Sequence, residues 1–264
     1  MHSLLEKIIA ARKSDLSVLK QKTSLYEVTN RALSSDPPKY CFQKALEKKK
    51  GNAIHIIAEV KKASPSKGII CQDFNPVSIA KSYEESGASA ISVLTEERFF
   101  QGSIAYLKRV VDSVSLPILR KDFIVDSYQI YETRYLGASA FLLIADCLEK
   151  AQLKEYIQLG ITLGLTALVE VHRPNEIKKA LQAGAQIIGI NNRDLHTFAT
   201  DLQVTLDLRP LIPEDILVIS ESGINYAADL VNLSRNNIQG VLIGEAFMRE
   251  PKHIHKKMKE LLAF

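Results

Sequence analysis

The stretch Gly137-Ala138-Ser139-Ala140-Phe141-Leu142-Leu143-Ile144 decides the fold. Its glycine suits the left-handed end of a helix. The run from Ala140 to Ile144 is then apolar at every position, as expected of a parallel strand buried under helices. Gly87-Ala88 and Gly184-Ala185 introduce further runs in the same way. Such runs occupy 54–60, 90–94, 117–120, 140–144, 167–171, 187–190, 216–219 and 241–243. Their spacing of roughly 20 to 35 residues is the length of one βα unit. Repeated over about 210 residues, this predicts an α/β protein built as a closed (β/α)8 TIM barrel. A doubly wound open sheet is the alternative. It is disfavoured by the absence of G-x-G-x-x-G after the first run and of G-x-x-x-x-G-K-[ST] anywhere.

Residues 1–50 read as an N-terminal helical extension, with Leu4, Leu5, Ile8, Ile9, Leu16 and Leu19 at three-to-four spacing. Asp36-Pro37-Pro38 must interrupt it, and Phe42, Ala45 and Leu46 resume the pattern. Lys48, Lys49 and Lys50 before Gly51 fit a helix end better than a polyanion site. The organisation expected is a single domain over 1–264, with a barrel core over 54–250 and a C-terminal helix over 251–264.

With 46% hydrophobic and 24% charged residues in 264, the chain has material for a large core, which argues against disorder. No apolar run approaches the roughly 20 residues of a membrane span, and the first residues lack the order of a secretory signal. A cytoplasmic protein is expected. The net charge of +4 is a mild excess that favours small anions over nucleic acid as partners. Cys41, Cys71 and Cys147 are too widely spaced for a disulfide framework or zinc cluster. His2, His55, His172, His196, His253 and His255 form no ligand spacing and no evident carboxylate relay, so no metal is required. Asn232-Leu233-Ser234 matches a glycosylation sequon that is idle without secretion.

In a barrel of this kind the chemistry sits at the carboxyl ends of the strands. The first run ends in Glu59-Val60-Lys61, whose two charges share a face. They are candidate site residues, with a buried ion pair or solvated strand end as the other reading. The third ends Leu119-Arg120-Lys121-Asp122-Phe123. Apolar neighbours on its face should lower the Lys121 pKa and make it a usable acid, while Arg120 and Asp122 pair against the helix layer. In the fifth run, burial should raise the Glu170 pKa and make it a better base, unless it is a satisfied structural carboxylate. Asn191-Asn192-Arg193-Asp194 follows the sixth, either binding hydroxyls and an anion or forming an Asx turn with a bracing Arg. Ser220-Glu221-Ser222-Gly223 and Gly244-Glu245, after the seventh and eighth, have the glycines of a phosphate site, joined at the rim by Ser64-Pro65-Ser66-Lys67-Gly68. Glu245 would offer its N–H to the anion and turn its carboxylate away.

Together these motifs resemble indole-3-glycerol phosphate synthase. Glu59 to Gly68 is similar to that family's E-x-K-x-x-S-P-S-x-G signature without a gap, and Leu116 to Phe123, Glu170, Asn191 to Leu195, Glu221 to Ile224 and Ile243 to Glu245 resemble its remaining motifs. The resemblance implies closure of 1-(2-carboxyphenylamino)-1-deoxyribulose 5-phosphate to indole-3-glycerol phosphate, with loss of carbon dioxide and water and no cofactor. It implies a catalytic set of Glu59, Lys61, Lys121, Glu170, Asn191 and Ser222. Lys121 would be the general acid and Glu170 the base of dehydration, with Lys61 meeting the substrate carboxylate. Ser64, Phe123, Arg193, Glu221, Gly223, Gly244 and Glu245 would bind substrate and phosphate. Phosphoribosylanthranilate isomerase shares the phosphate loops but lacks the segment from Glu59 to Gly68. A non-catalytic anion-binding barrel would have no use for both Lys121 and Glu170. A third reading, polyanion binding through the Lys-rich extension, predicts only weak, salt-sensitive affinity.

Overall fold

The computed structural model describes residues 4–47, 54–194 and 198–263. Lys48 to Gly51, read above as a helix end, and Leu195 of the sixth motif lie outside these residues.

Eight parallel strands close into a barrel: β1 His55–Val60, β2 Ala90–Leu94, β3 Ile118–Lys121, β4 Ala140–Ile144, β5 Thr166–Val171, β6 Ile187–Asn191, β7 Leu217–Glu221 and β8 Gly240–Ile243. Pairing of β1 with β8, from His55 opposite Gly240 to Ala58 opposite Ile243, closes the ring and excludes the open sheet. Burial on both faces follows from the alternation of side chains. Ile57, Leu119, Leu168, Ile187, Ile219 and Leu242 point inward and pack together. Their neighbours Ala58, Ile118, Val169, Ile188, Val218 and Val241 point outward and pack under the helices. Gly87, Gly137 and Gly184 take φ of +90°, +83° and +90°, the left-handed ends expected before β2, β4 and β6.

The extension consists of α1 Leu4–Lys22, α2 Leu25–Ser34 and the short α3 Phe42–Ala45. The break at Thr23 and Ser24 was not anticipated. Ser24 accepts the Glu27 N–H while the Glu27 carboxylate accepts the Ser24 N–H, a capping box whose S-x-x-E spacing is visible in the sequence. Phe42 and Leu46 are fully buried and join the inward-facing core, closing one end of the barrel. At the other end α1 is tied to the loops after β2 and β3 by Arg12 to Asp122 (2.5 Å), Lys20 to Asp126 (2.6 Å) and Asp15 to Arg98.

Asp122 is completely enclosed and also accepts from Thr95 Oγ1 and from Arg120. Arg120 in turn reaches Glu132, Thr133 and the Gln129 carbonyl on α6 (Ser127–Tyr135), so this pair does face the helix layer. Arg12→Ala removes one of two cations from a buried carboxylate. It is expected to cost about 2 kcal/mol and lower the melting temperature by about 4 to 8 °C. An unchanged thermal melt would show that the tether carries no stability.

The remaining helices follow the strands: α4 Pro76–Glu85, α5 Ile104–Val111, α7 Lys150–Thr162, α8 Pro174–Ala183, α9 Gln203–Leu208, α10 Ala227–Arg235, α11 Glu245–Met248 and α12 Ile254–Leu261. The segment from Ser64 to Gly68, expected as a rim loop, is the tip of a small hairpin pairing Ala63–Ser64 with Gly68–Ile69. Gly68 turns it at φ +65°. Among the described residues no helix is long and apolar enough to cross a membrane.

Candidate active site

One step beyond the apolar layer of Ile57, Leu119, Leu168 and Ile219, the same alternation brings Glu59, Lys121, Glu170 and Glu221 inward from β1, β3, β5 and β7. Alternate strands fill the layers of such a barrel, normally with branched apolar side chains. Here one such position on each of the four strands is charged. Lys121 Nζ donates to Glu170 Oε2 and to Glu221 Oε2, each at 2.9 Å, and Lys61 Nζ lies 2.6 Å from Glu59 Oε2.

Room for these carboxylates comes from the intervening strands. A Cβ on Gly189 of β6 would collide with Glu221 Oε1, and one on Gly244, just after β8, would collide with Glu59 Oε2. Gly244 has an ordinary negative φ, so space and not conformation requires glycine there.

A hydrogen-bonded chain extends the cluster. Asn191 Nδ2 donates to Glu170 Oε1 (3.1 Å), and Asn191 Oδ1 accepts from Ser222 Oγ (2.9 Å) and from the Arg193 N–H (3.0 Å). The bond from Arg193 makes this an Asx turn, which is the structural reading of Asn191. Ser222 and Gly223 both have positive φ, +69° and +82°. A left-handed serine beside a cavity stores strain of the kind found at binding sites. Asn192 fixes this turn by donating to Ser220 Oγ and to the Glu221 and Ser222 carbonyls.

The electrostatics correct two expectations. Burial works against the Lys121 ammonium, but Glu170, Glu221 and Glu59 outweigh it, so its pKa lies above the ordinary lysine value instead of below it. Burial also works against the Glu170 carboxylate. Lys121, His172 and the hydrogen bonds from Lys121 and Asn191 outweigh that and hold it down to about 2. Glu221 bears the consequence. Burial, with Glu170 and Glu59 nearby, exceeds what Lys121 returns and pushes its pKa up to about 7. One ammonium between two buried carboxylates thus holds the pKa of Glu170 down and leaves that of Glu221 raised, its Oε1 without a hydrogen-bond partner.

Glu221 was expected among the phosphate groups. As the inward residue of β7 it accepts a hydrogen bond from Lys121 Nζ on the wall of the same cavity. The Glu245 carboxylate is paired with Arg193 (3.3 Å) and Arg249 (2.5 Å), which neutralise it where it lines the cavity.

All thirteen residues of the expected catalytic and binding sets line one cavity of about 730 Å³ at this end of the barrel, while Gly68, Arg120, Asn192, Asp194 and Ser220 do not. Its walls divide by chemistry. Phe100 and Phe123, ring centroids 6.0 Å apart, form an apolar flank with Leu142, Ile144 and the Leu4, Leu5 and Ile8 side chains of α1. Ser64, Lys67, Gly223, Asn225, Gly244 and Arg249 form the opposite, polar end. The α1 contribution was missed: its apolar spacing was read only as the mark of a helical extension. Also missed was His172, whose Nε2 lies 3.6 Å from Glu170 Oε1 and whose Nδ1 lies 3.6 Å from Glu176 Oε2. The signal was available, since β alternation puts positions 170 and 172 on one face and Glu176 follows four residues later. Among the described residues no group of three or more His, Cys, Asp or Glu is arranged to hold a metal ion.

The indole-3-glycerol phosphate synthase family model matches residues 5–261. The chain belongs to that family. A relative from Dehalococcoides mccartyi (strain ATCC BAA-2266 / KCTC 15142 / 195) is 49% identical over 262 residues, 98% of this chain and 100% of its own. One from Carboxydothermus hydrogenoformans is 48% identical, covering 94% and 95%, and one from Chlorobium chlorochromatii is 43% identical, covering 98% of each; all three are indole-3-glycerol phosphate synthases. Among solved structures, a mutant tryptophan synthase alpha-subunit from Pyrococcus furiosus aligns with a TM-score of 0.62 at 15% identity, over 80% of this chain and 98% of that one. This last likeness concerns the barrel alone. Membership of the indole-3-glycerol phosphate synthase family makes the chain a carboxy-lyase of tryptophan biosynthesis.

Proposed function

We propose that Lys121 is the general acid and Glu170 the general base of this synthase, working on a substrate held between the apolar flank and the polar end of the cavity. The reaction is the closure of 1-(2-carboxyphenylamino)-1-deoxyribulose 5-phosphate to indole-3-glycerol phosphate. The observation that carries the assignment is the Lys121 ammonium 2.9 Å from both Glu170 and Glu221 on the cavity wall.

In the first step the ring carbon bearing the carboxylate attacks the ribulose C2 carbonyl. Lys121 passes a proton to the carbonyl oxygen as the new carbon–carbon bond forms. The carboxylate then leaves as carbon dioxide, and its bonding pair restores the aromatic ring. Lys61 meets that carboxylate before it departs, with Glu59 holding the ammonium in place. In the last step Glu170 removes a proton from the adjacent C1 while the C2 hydroxyl leaves as water, taking its second proton from the Lys61 ammonium that the departing carbon dioxide has freed. Before substrate arrives the ammonium is protonated and the carboxylate ionised, the forms in which the two transfers begin. Asn191 and Ser222 orient hydroxyls, and Arg193 braces them through its backbone N–H on Asn191 Oδ1, with its guanidinium on Glu245. Ser64, Gly223, Gly244 and the Glu245 N–H receive the phosphate. Phe123 and Phe100 stack against the aryl group.

The sequence has no tryptophan, so indole fluorescence reports product against a low background. Incubation with the carboxyphenylamino-deoxyribulose phosphate is expected to give that signal with one equivalent of carbon dioxide, and its absence would refute the reading. Gly244→Ala tests the spacing argument. Displacing the Glu59 carboxylate from Lys61 is expected to lower kcat/KM by about 10²-fold. Parental kinetics in that variant would mean Glu59 has slack. Cys41, Cys71 and Cys147 are all free, as a reducing compartment leaves them, which supports a cytoplasmic location.

A further inference from the structure

His172 is the first residue after β5, two positions beyond Glu170 and on the same face of the chain. Its imidazole is wedged between two buried carboxylates. Nε2 is enclosed, without a hydrogen-bond partner, 3.6 Å from Glu170 Oε1; Nδ1 is 3.6 Å from Glu176 Oε2. Glu176, almost wholly buried on α8, is held in turn by the His172 backbone N–H (2.7 Å) and by Arg173 Nε (2.9 Å). Arg173 continues outward to Asp146 (3.1 Å). A line of alternating charge thus runs from the surface through Arg173, Glu176 and His172 to Glu170. His172 does not line the cavity and stands behind the carboxylate it faces.

We propose that His172 is a positioning residue for the synthase: paired with Glu170 and backed by Glu176, it holds the base anionic and aimed into the cavity while Lys121 is engaged with substrate. This rests on the reading of Glu170 as the base. The need arises from the order of events. Glu170 Oε2 is held by Lys121, but Lys121 surrenders a proton in the first step and can no longer supply a full positive charge there. Oε1 has two remaining neighbours, the neutral Asn191 amide at 3.1 Å and His172. Of these only an imidazolium keeps a counter-charge on Glu170 through the dehydration.

The surroundings favour that charge. Burial disfavours it, but Glu176, Glu170 and Glu221 together raise the His172 pKa above the ordinary value. Cys147, from the turn after β4, faces Glu170 and Glu176; burial and those carboxylates push its thiol up to about 12, so it stays neutral. Lys179 on α8 is occupied with the Ala145 and Leu148 carbonyls. Lys121 faces the cluster from β3 through its bonds to Glu170 and Glu221.

Two measurements test this in the intact enzyme. In His172→Gln, loss of the positive charge makes the coupled pair Glu170 and Glu221 easier to protonate. The acid limb of kcat against pH is expected to move up by about one unit, a fall of about tenfold on its acid side. The alkaline plateau and KM should each change by less than about threefold. A folded His172→Gln protein with an unmoved acid limb overturns the proposal, since a merely structural role would lower the melting temperature and not shift that limb.

The second measurement does not depend on that variant folding. Coupling between two protonation sites is reciprocal, so the His172 ring resonance, followed by NMR, should titrate at lower pH in Glu170→Gln than in the parent enzyme. Equal midpoints overturn the proposal. Turnover surviving in Glu170→Gln would instead sink the base reading, with the His172 titration still reporting the coupling on its own.

Discussion

Lys121→Met is expected to lose about 10² to 10⁴ in kcat, the range typical for removal of a group that moves a proton in the transition state. KM should change much less, because the aryl flank and the phosphate end hold most of the substrate and neither includes this side chain. Methionine matches the length of the lysine stem without its charge. It leaves Glu170 and Glu221 facing one another, and Glu221, already pushed up to about 7, takes the proton that relieves the repulsion. The variant is therefore expected to fold, and steady-state kinetics beside a thermal melt separate the two effects. Near-parental kcat in a folded Lys121→Met protein would remove Lys121 from the acid role.

Glu170→Gln is expected to be slowed to a similar extent but at a later point in the reaction. Gln can still accept a hydrogen bond from Lys121 and donate to a neighbour, so ring closure and decarboxylation should proceed. What it cannot do is take the C1 proton. Rapid mixing should show about one equivalent of carbon dioxide per site, with indole fluorescence lagging by about 10² to 10⁴ in rate. Carbon dioxide and indole appearing together at the parental rate would show that another group performs the dehydration.

The barrel was legible because its signals are local. A run such as Ala140 to Ile144, apolar at each position, and a glycine a few residues before it describe a strand and its approach within ten residues of sequence. The positions of the site were legible for the same reason, since strand ends are where polar residues accumulate. The charges on the site were not. Leu119 and Phe123 flank Lys121 in sequence and suggested an apolar environment, yet the groups that set its protonation, Glu170 and Glu221, are 49 and 100 residues away. Only closure of the ring makes them neighbours. The same holds for the α1 residues on the cavity wall and for His172, whose second partner sits on the next helix. Ser24 and Glu27 show the opposite case, a short-range capping signal that was present and passed over.

Gly189 and Gly244 carry a consequence for how this barrel can change. Each is small because a particular carboxylate from the adjoining strand occupies the volume a methyl group would need. Adding the methyl first crowds the acid; shortening the acid first leaves a void beside it. Successful redesign toward other ring systems should therefore alter positions 189 and 221, or 244 and 59, in one step, and libraries that vary either member alone should return mostly dead clones.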